Sequence, residues 1–283
     1  MPLQYNEFYN EQTGLTIGLK KLLFSEQSEY QLVEVYETDT WGNLMTIDDM
    51  VMLSERDEFV YHEMLAHTAM FTHPNPKRVL IIGGGDGGTA REVLKHASVQ
   101  HVDMVEIDKT VVDASKLHFP GVGDFDNPKL NVLYEDGIAF VKSVQTPYDV
   151  IIIDGSDPVG PAEGLFEKDF YQFCIDALSD DGVLTAQTES PWVESYYPSM
   201  KKVFYALDDL FPISKMYISY IPLYPAGMWS MACASKQEDP LGDDVQKRIS
   251  SSSDWLAGLK YYNTEVHKAA FALPNFVKEI ISR

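Results

Sequence analysis

Apolar and polar positions alternate most plainly in Gln31, Leu32, Val33, Glu34, Val35 and Tyr36, which marks a strand with one buried face. Four strands are expected before residue 55, over residues 15–24, 30–37, 44–47 and 51–53, with the turn Trp41-Gly42-Asn43 between the second and third. This is a small antiparallel β region. At Ser54 the period changes. Ser54 followed by Asp57 has the form of a capping box, and residues 55–71 then read as a helix carrying apolar Phe59, Met64, Ala66 and Met70. The proline-punctuated connector HPNPKR, residues 73–78, ends it.

Beyond the connector the pattern becomes one of short apolar runs without alternation, at 79–82, 102–107, 130–134, 150–153, 183–187 and 228–235. Most are separated by helix-like stretches, a rhythm that predicts an α/β fold with a largely parallel sheet and right-handed crossovers. The expected division is a β-strand domain over residues 1–55 and a catalytic domain over 56–283, entered through helix 55–71 and linker 73–78. Residues 236–253 form a polar stretch, and 274–282 read as a helix.

Composition narrows the class. A length of 283 residues allows one large or two modest domains, and 45% hydrophobic with 23% charged residues is ordinary for a soluble globular chain. Cys174 and Cys233 are the two cysteines, far apart and without metal-ligand spacing, so neither a disulfide framework nor structural zinc is expected. The opening MPLQYNEFYNEQ has no signal-peptide character, and no apolar run of about eighteen residues predicts a membrane span. The expected location is cytoplasmic. A net charge of −21 argues against nucleic acid as a partner and suits cationic small molecules.

The chemistry centres on residues 79–108, VLIIGGGDGGTAREVLKHASVQHVDMVEID. A β-branched run enters Gly83, Gly84 and Gly85, with Gly87 and Gly88 following, and a helix opens behind them. Glu106 and Asp108 follow about twenty residues later, where an adenosine ribose expects a carboxylate. Asp86 lies inside the glycine loop. A fixed carboxylate there repels phosphate and pairs with a cation, which favours an adenosyl group bearing an amine or sulfonium over a dinucleotide. Carboxylates also follow three further apolar runs, at Glu106, Asp136 and Asp154, along the edge where such sheets bind ligands. The stretch IIIDGSDPVGPAEGLF, 151–166, adds Asp157 and reads as a glycine-hinged flap over the site.

These motifs, GGGDGG with TARE behind it, VEID, EDG at 135–137, DGSDPVGPAE, DEFVYHEM, IPLYPAG at 221–227, KYYN and HKAAFALP, resemble the spermidine synthases, the polyamine aminopropyltransferases, over nearly the whole chain. The resemblance implies a methyltransferase-like Rossmann domain behind a small N-terminal β domain, assembled as a homodimer or homotetramer. It implies transfer of an aminopropyl group from decarboxylated S-adenosylmethionine, as co-substrate, to putrescine. No metal or other cofactor is expected. Carried over by position, it implies Asp86 for the aminopropyl amine, Glu106 for the ribose, Asp136 with Gly137 for the adenine, and Gln31 and Pro161 against the nucleoside. Asp154 would be the proton acceptor, with Tyr61, His62, Asp157 and Tyr224 around the diamine. Met52 stands where some eukaryotic members carry Gln, and His62 where others carry Gln, which implies polar contact for His62 and not proton transfer. Two rival readings remain: a diamine N-methyltransferase using intact S-adenosylmethionine, and a non-catalytic polyamine-binding subunit. Asp86, Asp154, Asp157 and Tyr224 together speak against the second, since binding alone needs no general base.

Overall fold

The computed structural model describes residues 3–156 and 164–283. Its first sheet is an antiparallel meander of five strands in sequence order: β1 (Leu3–Phe8), β2 (Gly14–Gln27), β3 (Leu32–Thr38), β4 (Asn43–Ile47) and β5 (Met50–Ser54). β1 was not expected. Its inward positions are Tyr5 and Glu7, and a carboxylate at a buried position hides the alternation. One part of the inner face, Val33, Val35, Met45, Ile47 and Leu53, packs on Val111, Ala114 and Phe119. The N-terminal sheet is thereby laid over the segment around residues 111–119.

α1 (Glu58–Thr72) starts three residues later than the capping pattern implies. Ser54 Oγ donates to Asp57 Oδ1, while Asp57 Oδ2 accepts the Leu223 N–H at 3.1 Å. The Asp57 carboxylate is therefore spent on joining β5 to a distant loop, and Asp57 itself becomes the N-cap without a side-chain cap bond. α1 is buried almost all round, as a helix packed on several elements must be.

The second sheet is built from β6 (Arg78–Gly83), β7 (His101–Val105), β8 (Leu130–Leu133), β9 (Tyr148–Asp154), β10 (Leu178–Glu189), β11 (Ile213–Tyr220) and β12 (Met228–Ser235). Their order is β11-β12-β10-β9-β6-β7-β8, parallel from β10 to β8, with β12 antiparallel to both its neighbours. In β6, Val79 and Ile81 enter the core that contains α1, while Leu80 and Ile82 enter the core on the other face. Burial on both faces explains why this strand reads as an unbroken apolar run. β11 was not expected, because Ser214, Lys215 and Ser219 interrupt its apolar positions.

Around the sheet lie α2 (Gly88–Leu94), α3 (Lys109–His118), α4 (Gly137–Ser143), α5 (Lys168–Ala177), α6 (Tyr197–Leu210), α7 (Asp243–Ser251), α8 (Ser253–Leu256), α9 (Thr264–Ala270) and α10 (Asn275–Ile280). α7 falls inside the stretch that reads as merely polar, since it buries just Val245 and Ile249. Chain order reverses between β6 and β9, and the crevice beyond their carboxyl ends is where this topology binds ligands.

Candidate active site

β6 delivers the glycine loop to that crevice, and Gly83 pairs directly with Asp154, the last residue of β9. A Cβ at Gly84 would stand 2.8 Å from Asp154 Oδ2, and one at Gly85 would stand 2.8 Å from Glu106 Oε2. Glycines occupy the loop because carboxylates from both neighbouring strands pack against its backbone. β7 ends at Val105, one residue short of Glu106, so Glu106 turns into the loop and accepts the Gly85 and Asp108 N–H groups at 3.2 and 3.0 Å.

Three adjoining hollows result. The central one, about 580 Å³, brings together Gln31, Gly83 to Asp86, Glu106, Asp154, Tyr61 and Tyr224. The second, about 470 Å³, is a more apolar slot between Ile82, Val105, Ile107 and Ile138, with Asp136 and Gly137 at its rim. Asp136 caps α4, its Oδ1 accepting the N–H groups of Ile138 and Ala139. The third, about 350 Å³, runs past Tyr61, Tyr224 and Trp229 to Glu7 and Gln187. Asp157 and Pro161, with most of the expected flap, lie outside the described residues.

Glu7 and Gln187 are cavity residues that the sequence reading did not single out. Gln187 follows the same rule as the strand-end carboxylates, near the end of β10, and its Nε2 donates to Gly155 O and Ser156 O. Glu7 comes from the other sheet, where its Oε2 accepts the Val51 N–H at 2.8 Å. A charged residue at an inward strand position was its one signal.

The electrostatics separate Asp86 from Asp154 in the central hollow. Burial and the nearby Asp86 charge push the Asp154 carboxyl above its ordinary value, although the His62 charge and the Tyr61 hydroxyl work against this. Tyr61 donates to Asp154 Oδ1 at 2.7 Å, and Oδ2 has no hydrogen-bond partner among the described residues. Burial alone would raise Asp86 too, but the adjacent His62 charge and the Gly88 N–H hold it below the usual range. Burial opposes charge on His62 as well. Asp86 and Glu58 outweigh it and hold the imidazole well above its normal value. Glu106 is pushed up to about 7 by burial, which its two backbone donors only partly offset. The site therefore has one firmly ionised carboxylate at Asp86 and one poised to take a proton at Asp154. Such a pair, facing one cavity, can hold a cation and deprotonate an ammonium beside it.

The description "Spermine/spermidine synthase domain" matches residues 58–243, and "Spermidine synthase tetramerisation domain" matches residues 4–55. A polyamine aminopropyltransferase of Alkaliphilus metalliredigens (strain QYMF) is 47% identical over 99% of this chain and 98% of its own length. One from Bacillus subtilis (strain 168) is 43% identical, covering 99% of each. Among solved structures, a spermidine synthase in complex with the transition-state analogue AdoDATO superposes with a TM-score of 0.93 at 42% identity, over 99% of this chain and 96% of that one. The spermidine synthase from Thermotoga maritima gives 0.91 at 41% identity, over 99% and 95%.

Proposed function

This chain belongs to the spermine/spermidine synthase family, and on that footing we propose that it transfers the aminopropyl group of decarboxylated S-adenosylmethionine to putrescine, giving spermidine and methylthioadenosine. The observation that carries the reading is the pairing of Asp86 and Asp154 at the mouths of β6 and β9, facing one hollow beside Glu106.

In this reading the nucleoside lies across the loop, with its base in the apolar slot by Asp136, Gly137 and Gln31 and its ribose on Glu106. The donor amine reaches Asp86. The sulfonium already makes the adjacent CH₂ electrophilic, so the protein has to place an amine in line with the C–S bond. Putrescine lies along the wall formed by Tyr61 and Tyr224, whose ring centroids are 5.8 Å apart and each of which can contribute roughly 0.5–2 kcal/mol of cation–π attraction. Asp154 takes a proton from the attacking ammonium. The freed lone pair forms the C–N bond, the C–S electrons go to sulfur, and the thioether leaves neutral. Gly83, Gly84 and Gly85 let the ligand approach the loop backbone. On the family resemblance alone, Asp157 is assigned to the diamine and Pro161 to the nucleoside.

Nothing among the described residues of the site favours methyl transfer, and the relatives described above share the name aminopropyltransferase. We assign the enzyme to the cytoplasm, which accords with two buried, free cysteines, and to a homodimer or homotetramer. No helix among the described residues is long and apolar enough to cross a membrane. The test is mass spectrometry of products from decarboxylated donor with putrescine, cadaverine, agmatine and spermidine together. Spermidine and methylthioadenosine are expected. Methylated putrescine from intact S-adenosylmethionine would overturn the assignment.

A further inference from the structure

Behind Asp86, away from the central hollow, runs a chain of alternating charges. Glu58 and His62 lie one turn apart on α1, and the His62 ring is pressed against the start of α2, where a Cβ at Gly88 would come within 2.3 Å of Nδ1 and Cε1. His62 Nδ1 is 2.6 Å from Glu58 Oε2, and His62 Nε2 is 3.2 Å from Asp86 Oδ2. Each ring nitrogen thus faces a carboxylate oxygen. A neutral imidazole carries one N–H and would turn a lone pair on one of them, whereas an imidazolium donates to both. Glu58 is itself gripped in a fork by Arg91, Nη1 to Oε1 at 3.1 Å and Nη2 to Oε2 at 2.9 Å. Arg91 is tied in turn to Glu92 and to the Val122 carbonyl.

We propose that Glu58 is a positioning residue for aminopropyl transfer: it pins the His62 ring, and His62 in turn pins Asp86 as the carboxylate that receives the donor's amine. The proposal rests on the aminopropyltransferase reading and deepens it. His62 does not line the central hollow, where Tyr61, its neighbour in sequence, does, so Glu58 acts at two removes from substrate. With Gly88 N–H on Oδ1 and His62 on Oδ2, the Asp86 carboxylate is held at both oxygens and cannot swing away when the loop is empty. Holding it also divides labour. Of the two neighbouring acids Asp86 is the one gripped at both oxygens, and Asp154, whose Oδ2 has no partner among the described residues, is left to take the proton. Deleting the Glu58 charge removes the partner that demands the second N–H. His62 can then become neutral, and Asp86 loses its nearest counter-charge, keeping only the more distant Arg91.

Glu58→Gln preserves size and one acceptor oxygen. Affinity is measured by calorimetry for two ligands that share the nucleoside: decarboxylated S-adenosylmethionine, which adds the aminopropyl amine and a sulfonium charge, and methylthioadenosine, which has neither. The expected result is a loss of about tenfold or more for the amine-bearing donor with methylthioadenosine unchanged. An equal loss for both would mean that Glu58 merely supports the loop, and no loss for either would mean that Asp86 needs no support; both overturn the proposal. If the variant fails to fold, the wild-type protein decides. In ¹⁵N-histidine NMR at pH 8, His62, assigned by comparison with His62→Gln, should carry protons on both nitrogens, and a neutral ring overturns the proposal. Failure of the wild type to release methylthioadenosine from donor and putrescine would sink the reaction itself, a result separate from either readout.

Discussion

Asp154 and Glu106 are both buried acids raised above their ordinary values, yet the cavity asks opposite things of them. Asp154 must accept a proton during turnover, so Asp154→Asn should lower kcat by roughly 10²- to 10⁴-fold while methylthioadenosine still binds, and a near-normal rate would remove the base assignment. Glu106 must be ionised to accept hydroxyl donors. With its carboxyl at about 7 in the fold against 4.5 as a free side chain, the folded protein keeps this proton after the unfolded chain has released it. Its contribution to stability is therefore greatest below 4.5, declines between 4.5 and 7, and is level above. Binding runs the other way. Ribose hydroxyls select the carboxylate, so methylthioadenosine affinity should rise by up to about tenfold per pH unit below pH 7 and then flatten. Glu106→Gln should weaken binding and abolish that slope. A flat titration of the wild type by calorimetry from pH 5.5 to 8.5 would show that the ribose does not rest on Glu106.

The elements that could be read from sequence are those whose burial matches a simple period. β6, β7 and β9 are apolar on both faces and announce themselves, and because their ends carry the chemistry, Asp86, Glu106 and Asp154 came into view with them. β1 and β11 did not, since their inward or central positions include Glu7 and Ser219. Pairings across the sequence were invisible for a different reason. Glu58 and Arg91 are 33 residues apart and meet because α1 packs on α2, which no local pattern encodes. The segment KYYN shows the same limit. It carries part of the family resemblance, and its backbone is held by Glu63 of α1, whose carboxylate, 2% exposed, accepts the N–H groups of Lys260, Tyr261 and Tyr262 at 2.9, 2.8 and 2.8 Å. Together with the stacking of Trp255 and Tyr262 on Phe71, this side chain docks the C-terminal segment to α1. Glu63→Ala strands those donors, and at about 1–3 kcal/mol for an unsatisfied buried group it should lower the melting temperature by roughly 2–5 °C. Donor KM and kcat at 25 °C should not change; a selective rise in KM would instead tie Glu63 to the site.

At the scale of the whole molecule, a net charge of −21 acts twice, with opposite consequences. It draws cationic donor and acceptor toward the cleft, and it makes copies of the chain repel one another. Association therefore requires apolar surface to offset the repulsion, and the edge hairpin β1–β2, within the region matched by the tetramerisation description, exposes Leu3 (49%), Phe8 (73%) and Leu22 (48%). Replacing Phe8 and Leu22 together by Asp should lower the solution mass, measured by light scattering, to a smaller multiple of 32.0 kDa. An unchanged mass would move the interface elsewhere. Salt provides the complementary test, because a Debye length of about 10 Å at 0.1 M screens both effects. Raising ionic strength should tighten the assembly while lowering kcat/KM for putrescine. If both moved in the same direction, the charge would not be acting as one field over the molecule, and the cleft's attraction for amines would have to come from Asp86, Asp154 and Glu7 alone.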